Sequence, residues 1–114
     1  MPDTATQLRE RIRILQAERR SLESKLLQPH PMLAASLIER FLISGGSARA
    51  TPAYYLSRSV GGQSKLTYVN KEELAVVRQR CAAYRAYQQN LKQWRRVTAA
   101  LEERWRQLRQ AQSQ

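Results

Sequence analysis

The sequence predicts an α+β fold: a helix first, a small antiparallel sheet in the middle, and a long second helix pairing antiparallel with the first in coiled-coil fashion. Three observations carry this. Apolar residues recur at alternating four- and three-residue steps near both ends, the spacing that aligns side chains on one face of a helix. Between them, runs rich in aromatic and β-branched residues surround Gly61–Gly62. Pro29 and Pro31 separate the first pattern from the second. At 114 residues the chain has the length of a single domain, 1–114, with room for one core.

The first helix is expected over 3–27. Leu8, Ile12, Leu15, Leu22 and Leu26 form its apolar row, and Arg19 fills the one gap. Asp3 or Thr4 can cap it, because an oxygen side chain there accepts from the free N–H groups of the first turn. Pro29 and Pro31 end it by removing donors and fixing φ. Such a helix is roughly 35 Å long at 1.5 Å per residue.

The sheet is expected over 36–69. Ala53–Val60 and Gln63–Val69 read as the two arms of a hairpin, since two glycines supply the positive φ angles a two-residue turn needs. That register sets Val60 opposite Gln63 and so Arg58 opposite Lys65. Tyr54, Leu56 and Arg58 then share one face, and Tyr55, Leu66 and Tyr68 the other, which is expected to pack on the helices. Ser36–Ile43 fits either a third strand or a short helix. Ser44–Pro52 is small, polar and glycine-containing, hence a loop.

The second helix is expected over 70–111, roughly 60 Å long. Val77, Tyr84, Leu91, Thr98 and Trp105 form one seam row, and Arg80, Tyr87, Trp94, Leu101 and Leu108 the other. Asn70 can cap it, and Glu72 and Glu73 suit the positive end of the helix dipole. Antiparallel pairing is expected to bring Leu26 near Leu74, and Leu8 near Leu91 or Trp94. Leu101, Trp105 and Leu108 then extend past the first helix as an uncovered seam. Water disfavours such a seam, so a second copy of the chain or another protein is expected to cover it, the alternative being that the last turns fray or bend back onto the sheet.

Charge is the feature that speaks to function. The net charge is +11 and the sequence pI about 10.9. Residues 71–114 carry ten basic and four acidic side chains, more than half of the surplus. Between Leu74 and Leu101 no Asp or Glu occurs, while Arg78, Arg80, Arg85, Lys92, Arg95 and Arg96 do. A helix so unbalanced repels itself unless it lies against a polyanion, and nucleic acid is the commonest one. Arg78, Arg85 and Lys92 recur every seven residues, with Arg96 one turn further. On the hairpin, Arg58 and Lys65 face each other as like charges, a pair that an anion can join. Those residues and Arg95 are the expected phosphate contacts, with Arg40 and Arg49 secondary. No helix-turn-helix, zinc finger or RNA-recognition motif is present, so the expected binding is salt-sensitive and tolerant of sequence.

Other classes fare worse. Cys81 and His30 are each the only residue of their kind, so no intramolecular disulfide forms and no metal or cofactor is expected. Cys81 reads as a small buried helix residue. No phosphate-binding glycine loop or nucleophile–base set occurs, so no enzyme is expected. No apolar run reaches a membrane span, no targeting segment is seen, and the expected location is cytoplasmic.

The middle of the chain resembles a known family. Ser36-Leu-Ile-Glu-Arg40, Tyr54-Tyr-Leu-Ser-Arg58, Gly62-Gln-Ser-Lys65 and Tyr68-Val69, followed by a long basic helix, are similar to a family of small uncharacterised bacterial proteins often encoded beside transposases or other mobile-element genes. The resemblance spans roughly 33–108. It implies that Ser36–Ile43 is a strand, giving a three-stranded antiparallel sheet, and that the chain has an accessory role in a mobile element, its RNA- or DNA-processing complex or its defence system. Members carry a cysteine cluster before the Tyr-rich strand. This chain has Ser44-Gly-Gly-Ser-Ala-Arg49 there, so a metal knuckle implied by the family is lost. The reading that results is a non-enzymatic nucleic-acid-binding accessory protein, a homodimer or a subunit of a larger nucleoprotein complex. The alternative is a coiled-coil adaptor or inhibitor that grips a protein through Leu101, Trp105 and Leu108.

Overall fold

The computed structural model describes residues 4–41, 43–44, 46–48 and 51–112. In chain order these form α1 (Ala5–Leu26), β1 (Ser36–Arg40), β2 (Ile43–Ser44), β3 (Ser47–Ala48), β4 (Ala53–Val60), β5 (Gln63–Val69) and α2 (Lys71–Gln112). The class is α+β, as the patterns predict. The chain divides into two compact units. A helix unit comprises Met1–Pro29 with Tyr87–Gln114, and a sheet unit comprises His30–Ala86. Each has its own buried cluster, where chain length suggested one core. A 42-residue helix, about 60 Å long at 1.5 Å per residue, is too long for one small core to cover.

In the helix unit, α1 begins at a capping box. The Thr4 hydroxyl accepts from the Gln7 N–H at 3.2 Å, and the Gln7 side chain accepts from the Thr4 N–H at 2.9 Å, which satisfies two otherwise orphaned donors. Leu27 ends it with a backbone bond to the Glu23 carbonyl, shortly before Pro29. Leu8, Ile12 and Leu15 are buried against Val97, Leu101 and Leu108, with Ala5, Leu22 and Ala100 alongside. The helices do pair, but with a different offset from the one expected. Leu8 clusters with Leu101 and Leu108, and it is Glu23, not Leu8, that meets Trp94; Leu74 belongs to the sheet cluster. The physical reason is the linker. Leu33 and Ala35 pack into the sheet cluster, and the Leu33 N–H donates to the Arg80 carbonyl at 3.1 Å. The start of α2 is thereby occupied by the sheet and linker, and α1 takes the later turns.

In the sheet unit the antiparallel order is β1-β4-β5. Ser36–Arg40 is therefore a strand, the choice the family resemblance favoured. β2 and β3 pair as a separate two-residue ladder around Gly46, at φ +83°, where the sequence suggested only loop. Gly61 and Gly62 both have positive φ, and Arg58 pairs with Lys65 in the predicted register. The packed face is the reverse of the expected one. Leu56 and Val69 are buried with Cys81, and Leu37, Tyr54, Leu74 and Val77 pack around them. Tyr68 and Leu66, assigned to the core, are 58% and 45% exposed. Arg58 sharing a face with Leu56 suggested a solvated side, but burial simply stops short of the hairpin tip, where Arg58 and Lys65 are exposed.

Candidate nucleic-acid interface

In the sheet unit the cations gather on the hairpin tip and the start of α2. Arg58 and Lys65 are direct cross-strand partners, both exposed. Adjacent strands hold their side chains close enough for like charges to repel, so a shared counter-anion relieves the pair. Arg78 is exposed as a stripe residue would be, but it also has a ring beneath it. Its guanidinium lies 5.5 Å from the centroid of the Tyr54 ring, whose negative face attracts it. Arg85, seven residues on, is exposed. Arg40, at the end of β1, sits 5.9 Å over the Tyr55 ring, on the sheet face opposite Tyr54. Arg49 lies outside the described residues.

In the helix unit Lys92, Arg95 and Arg96 are all exposed. Lys92 and Arg96 are one turn apart on the same side of α2, while Arg95 points about 100° away from Arg96. Among the described residues, no ion pair joins Arg58, Lys65, Arg78, Arg85, Lys92, Arg95 or Arg96 to a carboxylate; Arg13–Glu10, Arg19–Glu23 and Arg106–Glu103 do pair. The last of these is on the surface. The Arg106 guanidinium, hydrogen-bonded to Glu103, holds that carboxyl below its ordinary range, and Glu103 raises Arg106 in turn.

The expected partner seam is altered. Leu101 and Leu108 are each 4% exposed and belong to the cluster α1 completes, so they are not an open surface. Trp105 alone of the three remains outward, 46% exposed. The argument for a second copy of the chain drawn from that seam therefore falls away, because α1 already covers it.

A group the sequence reading passed over lies between α1 and α2 in the helix unit. Glu23 Oε1 accepts from Arg19 Nε at 3.1 Å and from the Trp94 indole at 2.9 Å, and the Arg19 guanidinium lies 5.0 Å over the Trp94 ring. The signal was Arg19 itself: a charge in an otherwise apolar row needs an aromatic or a carboxylate, and Trp94 and Glu23 supply both. Also missed was the open sheet face with Tyr55 and Tyr68, whose rings meet edge-on at 5.8 Å.

Among the described residues no helix is long and apolar enough to cross a membrane, and no three His, Cys, Asp or Glu side chains group where they could hold a metal ion. No family model matches this chain, and neither a curated protein nor a solved structure is found to be similar to it.

Proposed function

We propose that this chain is a non-enzymatic nucleic-acid-binding accessory protein that contacts phosphates through Arg58 and Lys65 on the hairpin and through Arg78, Arg85, Lys92, Arg95 and Arg96 on α2. The carrying observation is that these cations have no intrachain carboxylate among the described residues, in a chain of net charge +11. Unpaired cations on a rigid scaffold release the counterions of a polyanion on binding, which favours association. Arg40 is a secondary contact. The resemblance of 33–108 to proteins encoded beside transposases supports a place in a mobile element's processing complex, and the single cysteine supports a reducing, cytoplasmic setting. Exposed Trp105 favours a second reading, an adaptor holding a protein at that side chain, since aromatic anchors dominate such interfaces.

The test is purification without nuclease, then a salt titration of binding to duplex and single-stranded oligonucleotides. Arg85→Glu combined with Lys92→Glu is expected to weaken binding at least tenfold at about 50 mM salt and to flatten the log–log salt slope by about 2. Trp105→Ala is expected to leave it unchanged. Absence of binding to either oligonucleotide at that salt, or a salt-independent affinity, defeats the proposal.

A further inference from the structure

Within the sheet unit, the described residues of the three-stranded sheet pack through one face. Its inner face buries Leu56 and Val69. Its outer face, by register, carries Ile38 and Arg40 on β1, Tyr55 on β4, and Leu66 and Tyr68 on β5. Ile38, Tyr55 and Tyr68 form one row across the three strands. Leu66 and Tyr68 are 45% and 58% exposed, and Ile38 and Tyr55 half-buried. Flanking this row are serines, with Ser57 and Ser64 hydroxyls 3.1 Å apart.

Three features of that face say what covers it. First, none of its strand positions holds a carboxylate; Glu39, the acid of β1, is in register with Tyr54 on the inner face. The charge it does hold is Arg40, against the Tyr55 ring. The face is therefore complementary to an anion. Second, its serines argue against a protein partner, because serine is depleted and large apolar side chains are enriched at the centre of protein interfaces. Third, exposed tyrosine rings on a flat sheet offer π-surfaces to planar groups, and arginine adds a second stacking plane or a phosphate contact. An anionic polymer with planar, unpaired side groups is single-stranded nucleic acid. A duplex keeps its base faces stacked internally and has no use for the rings.

We infer that the outer face of this sheet binds the unpaired bases of a single strand, one base stacking on Tyr68 and a neighbour meeting Tyr55, with Arg40 on the adjoining phosphate. The inference rests on the proposed phosphate binding and adds the class of nucleic acid to it. On this face Arg40 supplies the phosphate contact, and the tyrosines discriminate base-bearing single strands from duplex.

The experiment uses the full chain and three probes of equal length: an oligothymidylate, the same sugar–phosphate chain without bases, and a duplex. Wild type is expected to bind oligothymidylate about tenfold more tightly than the abasic strand, with tyrosine fluorescence quenched on binding. Tyr68→Ala is expected to lose about tenfold in oligothymidylate affinity, in line with single-base stacking losses, while changing duplex and abasic affinities less than twofold. Tyr68→Leu keeps an apolar strand residue and removes the ring. It should behave as Tyr68→Ala does, which separates stacking from a folding defect monitored by circular dichroism. Equal wild-type affinity for oligothymidylate and abasic strand overturns the inference, as does a Tyr68→Ala variant with unchanged oligothymidylate binding. In both cases duplex binding lost through Arg85→Glu with Lys92→Glu leaves the phosphate reading standing. Binding to none of the probes defeats both. A chain that ignores all three but loses self-association or protein capture on Tyr68→Ala also overturns the inference, in favour of a protein-docking face.

Discussion

Glu23 serves two donors with one oxygen, and that makes it the most consequential side chain in the helix unit. Its Oε1 accepts from Arg19 and from the Trp94 indole while Arg19 stacks on the same ring. Removing the acceptor leaves a part-buried indole N–H without a partner and the Arg19 guanidinium with only the Trp94 ring. Glu23→Ala is therefore expected to lower stability by about 1–2 kcal/mol, since a hydrogen bond to a charged group contributes more than a neutral one but this pair is partly solvated. A thermal melt gives the loss, and a red shift of tryptophan emission shows that Trp94 is where it occurs. An unshifted melting temperature rules the trio out as a structural tie. At this scale the sequence was half legible. Arg19 stood out as the break in an apolar row, and the Arg58–Lys65 opposition followed from two glycines and a count. Tyr54 and Tyr55 could not be sorted, because adjacent tyrosines point to opposite faces and either can be core. Only the positions of Leu56 and Val69 decide it.

At the scale of elements, α1, the hairpin and α2 were each readable to within a residue or two, because period and punctuation are local properties. What α2 faces along its length was not. A heptad pattern reports that a helix has an apolar side, but Arg80 and Trp105, in the expected rows, are exposed, while Cys81 and Val97, outside them, are buried. The partner of each turn is chosen by the linker at Leu33 and Ala35, whose packing no periodicity reveals. The consequence is testable at Leu101. Buried against α1 of its own chain, it should behave as a core residue: Leu101→Ala is expected to cost about 2–4 kcal/mol. Its melting temperature should not depend on protein concentration. A concentration-dependent melt, or a change in sedimentation with little loss of stability, contradicts the intrachain burial.

For the molecule as a whole, charge is the dominant quantity and the one most plainly visible in composition. The net charge is +11, and the pairs Arg13–Glu10, Arg19–Glu23 and Arg106–Glu103 each span three or four positions along one helix. Such pairs offset little of a global repulsion. Added salt should therefore stabilise the fold. Raising NaCl from about 20 mM to about 300 mM shortens the screening length severalfold, and the melting temperature is expected to rise by a few degrees. A fall would mean that attractive pairs outweigh the repulsion. Under the proposed function the same salt that steadies the fold should release nucleic acid, so the two titrations would move in opposite directions.

Cys81 is buried in the sheet cluster, whereas Trp94 and Trp105 both belong to the helix unit. Nature has thus segregated two reporter chemistries without any engineering. The rate at which a thiol reagent modifies Cys81 clocks transient opening of the sheet half, and indole emission follows the helical half. An investigator can learn from a single unlabelled sample whether the halves melt together or in succession.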